Sequence, residues 1–327
     1  MTNTISILAT DGCVSSVLTG LLDYINIANM LWMTSSESNG EILCKTEIVG
    51  IDGNGVKTSS GIVIHPDKTI DEIKKTNFIM LPAFLYPFDV TTEKLKPAIN
   101  WIKKSYEKGA TIASTCTGTF LMAETGLLDG KSATTNWYFA NMFKRKYPEV
   151  KLKIEKILNV DGRLITSGAA TAFLNLALHL IEKLGSQDLA LLCAKALLID
   201  PNKENQSPYI LHSFWKNHLD KEILAAQDFM EKNFASKIYI DDIAENAGIS
   251  SRHFKRRFKK ATDETPIAYI QHLRIEKAKE MLEKSNETIN EITWEIGYED
   301  INSFRRLFKK NTGMSPKDYR KKFATVN

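Results

Sequence analysis

The first two hundred residues carry their apolar positions in short solid runs, and the last hundred carry them as stripes at helical spacing. Residues 5–9, 46–50, 78–82 and 110–116 are the solid runs, and their brevity predicts strands. Between and after them, residues 20–33, 93–107, 117–125 and 171–184 read as helices. Strands alternating with helices predict a doubly wound α/β domain, flavodoxin-like, whose parallel sheet binds ligands outside the strand C-termini. The C-terminal stripes predict a separate all-α domain. Between the two, residues 200–208 are polar and hold two prolines, a composition that suits a hinge. The predicted organisation is a sensor domain over 1–200, a linker over 201–222 and a helical domain over 223–327.

The helical region repeats itself. Ile240-Asp241-Asp242-Ile243 leads to Gly248, then to Phe254-Lys255-Arg256-Arg257-Phe258-Lys259-Lys260 and Thr265-Pro266. Ile289-Asn290-Glu291-Ile292 leads to Gly297, then to Phe304-Arg305-Arg306-Leu307-Phe308-Lys309-Lys310 and Ser315-Pro316. The offset is 49 as far as the glycines and 50 from Phe254/Phe304 to Tyr269/Tyr319. Each copy has two helices about a glycine turn, the outline of a helix-turn-helix unit. Thr288 with Glu291 forms a capping box, and Glu299 or Asp300 can cap the helix that follows. In that helix Phe304, Leu307 and Phe308 share one face and leave Asn302, Ser303, Arg305, Arg306 and Lys309 on the other. The first copy, capped by Ser250, anchors through Phe254 and Phe258 and turns out Arg252, His253, Lys255, Arg256 and Lys259. Pro266 opens a connecting helix to about Lys284, with Ile267, Ile270, Leu273, Ala278, Met281 and Leu282 as its buried stripe. Its ~19 residues span roughly 28 Å, close to the ~34 Å of one duplex turn.

Charge sharpens this picture. The chain has 43 basic and 39 acidic residues, and residues 221–327 hold 21 and 17 of them, which accounts for the whole net +4. Residues 251–262 carry six Lys/Arg and no acid, and residues 301–310 carry four and no acid. One charged helical face is usually only solvated. Two copies with the same glycine, paired aromatics and a Lys-Lys ending fit phosphate neutralisation better. No apolar run reaches the ~18 residues of a membrane span, and no basic region precedes residues 5–8, so neither a span nor a signal peptide is expected. Cys13, Cys44, Cys116 and Cys193 stand apart without CxxC or His pairing, which predicts reduced thiols in a cytoplasmic protein and neither zinc site nor cofactor.

From about Leu224 to Phe323 these motifs, with Gly313-Met314-Ser315-Pro316-Lys317-Asp318-Tyr319-Arg320, resemble the AraC-type DNA-binding domain. The resemblance implies that the two basic helices enter adjacent major grooves of an operator. Arg252, Lys255 and Arg256, and then Asn302, Arg305 and Arg306, become the base-reading candidates: Arg suits guanine, Asn adenine. Lys259, Lys260, Lys309 and Lys310 suit phosphates. Asp263 stands where the family has the glycine seen at Gly313, so the first unit's closing turn is expected to differ.

In the N-terminal region, the strand ending at Cys116 runs into Thr117-Gly118-Thr119-Phe120, the order of a nucleophile elbow with its thiol at a helix N-terminus. By itself this more often describes a small buried apolar cysteine. The stretch from Ser114 through Asn136-Trp137, with Thr166-Ser167-Gly168 and Asn175 to His179, resembles the PfpI-like branch of the class I glutamine-amidotransferase-like superfamily, in the GlxA-type version fused ahead of an AraC domain. The resemblance implies a partner base or acid for the cysteine, and this chain departs from it. Thr117 follows the cysteine where enzymes place histidine, Asn136 replaces the histidine of many regulators, the early acid falls at Val17, and Asn175 replaces an aspartate. His65, His179, His212 and His218 lie in no motif that would place them beside Cys116.

The expected function is therefore a DNA-binding transcriptional regulator, not an enzyme, with a degenerate domain sensing a small-molecule effector through Cys116, Thr117, Gly118, Asn136 and Trp137. A homodimer on double-stranded DNA, with RNA polymerase as a further partner, completes the expectation. The alternatives are a cysteine-dependent amidase or hydratase, and a redox sensor at Cys116.

Overall fold

The four apolar runs form the middle of a seven-stranded sheet, ordered Leu158–Asp161, Leu164–Ser167, Thr111–Thr115, Phe78–Leu81, Asn3–Ala9, Cys44–Gly50, Lys68–Thr69. All neighbours are parallel except the first pair, which is an antiparallel hairpin. Ile5, Leu8, Ile79, Ile112 and Ala113 are wholly buried at its centre. Helix Ser15–Met33 packs with Phe173–Leu184 and Gln187–Ala196, and Lys96–Glu107 packs with Gly118–Glu124. Strand order reverses between Asn3–Ala9 and Phe78–Leu81, and such a switch point opens a crevice at the strands' C-terminal ends.

The hairpin is absent from the sequence reading for a physical reason. Leu164–Ser167 is buried throughout although half of it is hydroxyl residues, and its edge partner leaves Val160 45% exposed. Neither therefore shows as an apolar run.

This computed structural model describes residues 2–35, 38, 40–212, 216 and 218–325, and the chain divides into two compact units between Gln206 and Ser207. Gln206 is anchored in the first unit, donating its side-chain amide to the carbonyls of Thr135 at 3.0 Å and Ile154 at 2.7 Å. No helix among the described residues is long and apolar enough to cross a membrane.

The second unit contains helices Lys221–Asn233, Ile240–Asn246, Ser251–Thr262, Pro266–Lys284, Ile289–Glu295, Ile301–Thr312 and Pro316–Phe323. They enclose two cores. Phe254, Phe258, Tyr269 and Ile270 belong to one; Ile275, Ala278, Met281, Leu282, Phe304, Phe308 and Tyr319 belong to the other. Helix Pro266–Lys284 feeds both, but its buried stripe differs from the expectation at one end. Ile267 is 57% exposed, and Tyr269 with Pro266 takes the inward face instead. Ser250, Thr265, Thr288, Asp300 and Ser315 all accept N-cap hydrogen bonds, and Thr288 with Glu291 completes a capping box.

The closing turn of the first copy does not differ from that of the second. Asp263 adopts φ 62° and Gly313 φ 73°, and each donates its N–H to the carbonyl four residues back, Lys259 or Lys309. Aspartate tolerates the left-handed region better than most residues, so the substitution keeps the cap. Gly297 admits no such exchange: at φ +81° a Cβ would lie 2.1 Å from the Ala235 carbonyl oxygen.

Candidate DNA interface and effector site

Each basic helix is fixed from beneath by two phenylalanines. Phe254 and Phe258 are wholly buried with rings 5.7 Å apart, and Phe304 and Phe308 are wholly buried with rings 5.6 Å apart. Because side chains three and four apart share a helix face, anchoring those positions turns the intervening ones outward. Arg252, Lys255, Arg256 and Lys259 are exposed on helix Ser251–Thr262, as are Asn302, Arg305, Arg306 and Lys309 on Ile301–Thr312. Lys255 lies 3.7 Å from Asp241, and Arg306 donates to the Ser303 hydroxyl at 3.1 Å. Exposed pairs of this kind are worth little and yield readily to phosphate.

Arg257 is the exception within its run. It pairs with Asp220 at 2.5 Å and with Glu222 at 2.6 Å, tying the start of helix Lys221–Asn233 to the basic helix. Six basic residues in a row of twelve looked alike in sequence; packing assigns one of them to structure.

At the other site, Thr111–Thr115 delivers Cys116 at φ 57°, and helix Gly118–Glu124 follows immediately. A non-glycine residue in this left-handed region is the backbone signature of an elbow. Gly118 is required by crowding, since a Cβ there would stand 2.3 Å from the Pro82 carbonyl oxygen. Two hydrogen bonds lock the elbow: the Cys116 N–H donates to the Ser167 carbonyl at 3.0 Å, and the Cys116 carbonyl accepts from the Thr135 hydroxyl at 2.8 Å.

Cys116 is 5% exposed and clusters with Val17 and Ala83, with Val14 and Phe173 packed against them. Val17 is thus part of the small apolar cluster that holds Cys116. Asn136 donates its amide to the sulfur at 3.4 Å. Burial pushes the Cys116 thiol above its ordinary value, and the neutral Asn136 and Thr117 only partly offset it. The geometry of an elbow is present, and the influences on its thiol are burial, Asn136 and Thr117.

The five expected site residues separate. Cys116, Thr117 and Gly118 are buried, Asn136 reaches the sulfur, and Trp137 is half-buried with its ring against Tyr138. A cavity of about 640 Å³ opens at the switch point, lined by Asp11, Gly12, Asp52, Phe84, Phe88 and Asp89 among others. Thr117 joins elbow and cavity, accepting from the Phe84 N–H at 2.6 Å and donating to its carbonyl at 2.7 Å. Reading on from the ends of the predicted strands at residues 9, 50 and 82 would have found these lining residues.

Two regions of the chain match known families. Residues 34–183 match the DJ-1/PfpI family, and residues 243–322 match a helix-turn-helix domain. The HTH-type transcriptional regulator CdhR of Pseudomonas aeruginosa is 25% identical over 277 residues, covering 84% of this chain and 81% of that one. GbdR of the same species, also an HTH-type transcriptional regulator, is 22% identical over 289 residues, 88% of this chain and 77% of its own. Among solved structures, Drosophila melanogaster DJ-1beta superposes with a TM-score of 0.51 at 21% identity, covering 61% of this chain and all of its own. An AraC family transcriptional regulator from Pseudomonas putida gives 0.50 at 14% identity, over 60% of this chain and 99% of its own. These likenesses concern the fold.

Proposed function

We propose that this chain, a DJ-1/PfpI domain joined to an AraC-type helix-turn-helix domain, is a sequence-specific transcriptional regulator whose N-terminal domain senses a small molecule without turning it over. The observation that carries the reading is the duplicated basic helix, rooted by buried Phe254/Phe258 and Phe304/Phe308 and exposing arginines on its free face. Arg256 and Arg305 read bases; Lys259 and Lys309 hold phosphates. The operator is double-stranded DNA, bound by a cytoplasmic homodimer, and RNA polymerase is the downstream partner.

The effector site is the switch-point crevice together with the Cys116 elbow, which Thr117 couples through Phe84. An effector acts by binding one arrangement of the protein better than another. Thiol catalysis is the weaker reading. A cysteine nucleophile needs a proton-transfer partner, and the groups that govern Cys116 are burial and two neutral side chains.

The test is selection of duplexes from a random pool by the full-length protein at fixed salt. A defined enriched sequence supports the reading. Binding that stays uniform across sequences, varying only with salt, contradicts it.

A further inference from the structure

His212, Glu264 and His272 converge in the second unit, outside both sites described above. His212 Nε2 lies 2.6 Å from one Glu264 oxygen, and His272 Nδ1 lies 2.8 Å from the other. The two imidazoles face one another, ring centroids 4.1 Å apart and tilted 34°. All three side chains are about three-quarters shielded from solvent. Their donor atoms lie within 4.8 Å of one another. We propose that these three residues form a binding site for a divalent transition-metal ion, with zinc the best-suited occupant, leaving a fourth position for water.

The donor set supports this assignment. Two neutral imidazole nitrogens and one carboxylate suit zinc at ~2.0–2.2 Å, whereas hard cations such as magnesium prefer oxygen throughout. Tetrahedral bonds of that length separate neighbouring donors by about 3.3 Å, so the 2.6 Å and 2.8 Å nitrogen–oxygen contacts would widen by about 0.7 and 0.5 Å. Each imidazole binds as the neutral tautomer whose N–H sits on the ring nitrogen away from Glu264, so the nitrogen facing Glu264 presents its lone pair to the ion.

The three ligands are held by separate devices. Glu264 sits in the turn between the first basic helix and helix Pro266–Lys284, beside the capping residue Thr265. His272 is two turns along that second helix. His212 follows a short 3-10 turn, Ser207–Tyr209, that is already docked: Lys279 donates to the Ile210 carbonyl at 2.7 Å, and Tyr209 meets Phe323 edge-on at 5.3 Å. Bound metal would therefore fasten the segment just after the Gln206/Ser207 junction to the turn that closes the first basic helix. Closing a loop of about fifty residues in this way also removes freedom from the unfolded chain. The site stands whether or not the chain regulates transcription.

Full-length protein without an affinity tag, stripped with chelator, is titrated with cobalt(II) and then zinc. One equivalent of cobalt should give a visible ligand-field band that zinc displaces, and zinc should raise the Tm. His272→Ala and His212→Gln should each abolish both responses. His212→Gln lies on a loop, so its fold is expected to survive even if His272→Ala does not. Absence of the cobalt band, or zinc binding unchanged in a folded His212→Gln protein, would overturn the proposal.

Discussion

Tyr269 donates its hydroxyl to the Glu231 carboxylate at 2.7 Å, beneath the first basic helix. Fifty residues on, Tyr319 donates to Glu283 at 2.8 Å beneath the second. Each tyrosine also meets the nearer phenylalanine, Phe258 or Phe308, edge-on at 5.4 Å. Burial, then the carboxylate, pushes both phenols well above their ordinary value, so they remain donors. Tyr269→Phe and Tyr319→Phe should each destabilise their unit by about 1–3 kcal/mol, because a half-buried carboxylate loses its phenolic donor. Urea unfolding measures this, and an unchanged midpoint would remove these bonds from the stabilising set.

At Cys116 the raised thiol value dictates reactivity against pH. A thiol held above its ordinary value of 9.0 is protonated at neutral pH, and only the thiolate alkylates. Iodoacetamide labelling of this site, followed by mass spectrometry, should be slow at pH 7 and still rising beyond pH 9. A plateau near neutrality would identify an activated thiol and favour the catalytic or redox reading.

Arg256 and Arg257 are adjacent and should respond in opposite ways. Arg256→Ala removes an exposed candidate base contact, so specific binding should weaken by ~1–3 kcal/mol at one base step with stability unchanged. Arg257→Ala breaks the pairs with Asp220 and Glu222 and should lower the Tm, with the preferred sequence unchanged. Thermal melts beside salt-controlled DNA titrations separate the two effects; a reversed pattern would exchange the roles.

Gly118→Ala places a methyl 2.3 Å from the Pro82 carbonyl oxygen, so backbone must move. The expected cost is about 1–3 kcal/mol, by analogy with overpacked cores. Circular dichroism melts provide the check, and a neutral substitution would show that the elbow is loosely held.

Much of this was legible where one residue type does one job. The paired phenylalanines set the inward face of each basic helix, and Thr288 with Glu291 announced a helix start. Positions that depend on chain crossing were not legible. Arg257 looks like its basic neighbours until Asp220 and Glu222, some 35 residues away, meet it. His212 and His272 carry no ligand spacing, and only folding brings both to Glu264. Ile267 was misplaced because a helix shared between two cores has no single apolar stripe to read. The Thr- and Ser-bearing strand Leu164–Ser167 is buried by its neighbours, not by its composition.

The central claim is that two rigidly held helices read two successive stretches of one duplex. Its most direct test maps the sequence selected by wild-type protein against those selected by Arg256→Ala and Arg305→Ala. Two half-elements with centres about 10 base pairs apart are predicted, each variant losing preference in one half only. A single undivided element, or variants that weaken every position equally, would contradict it.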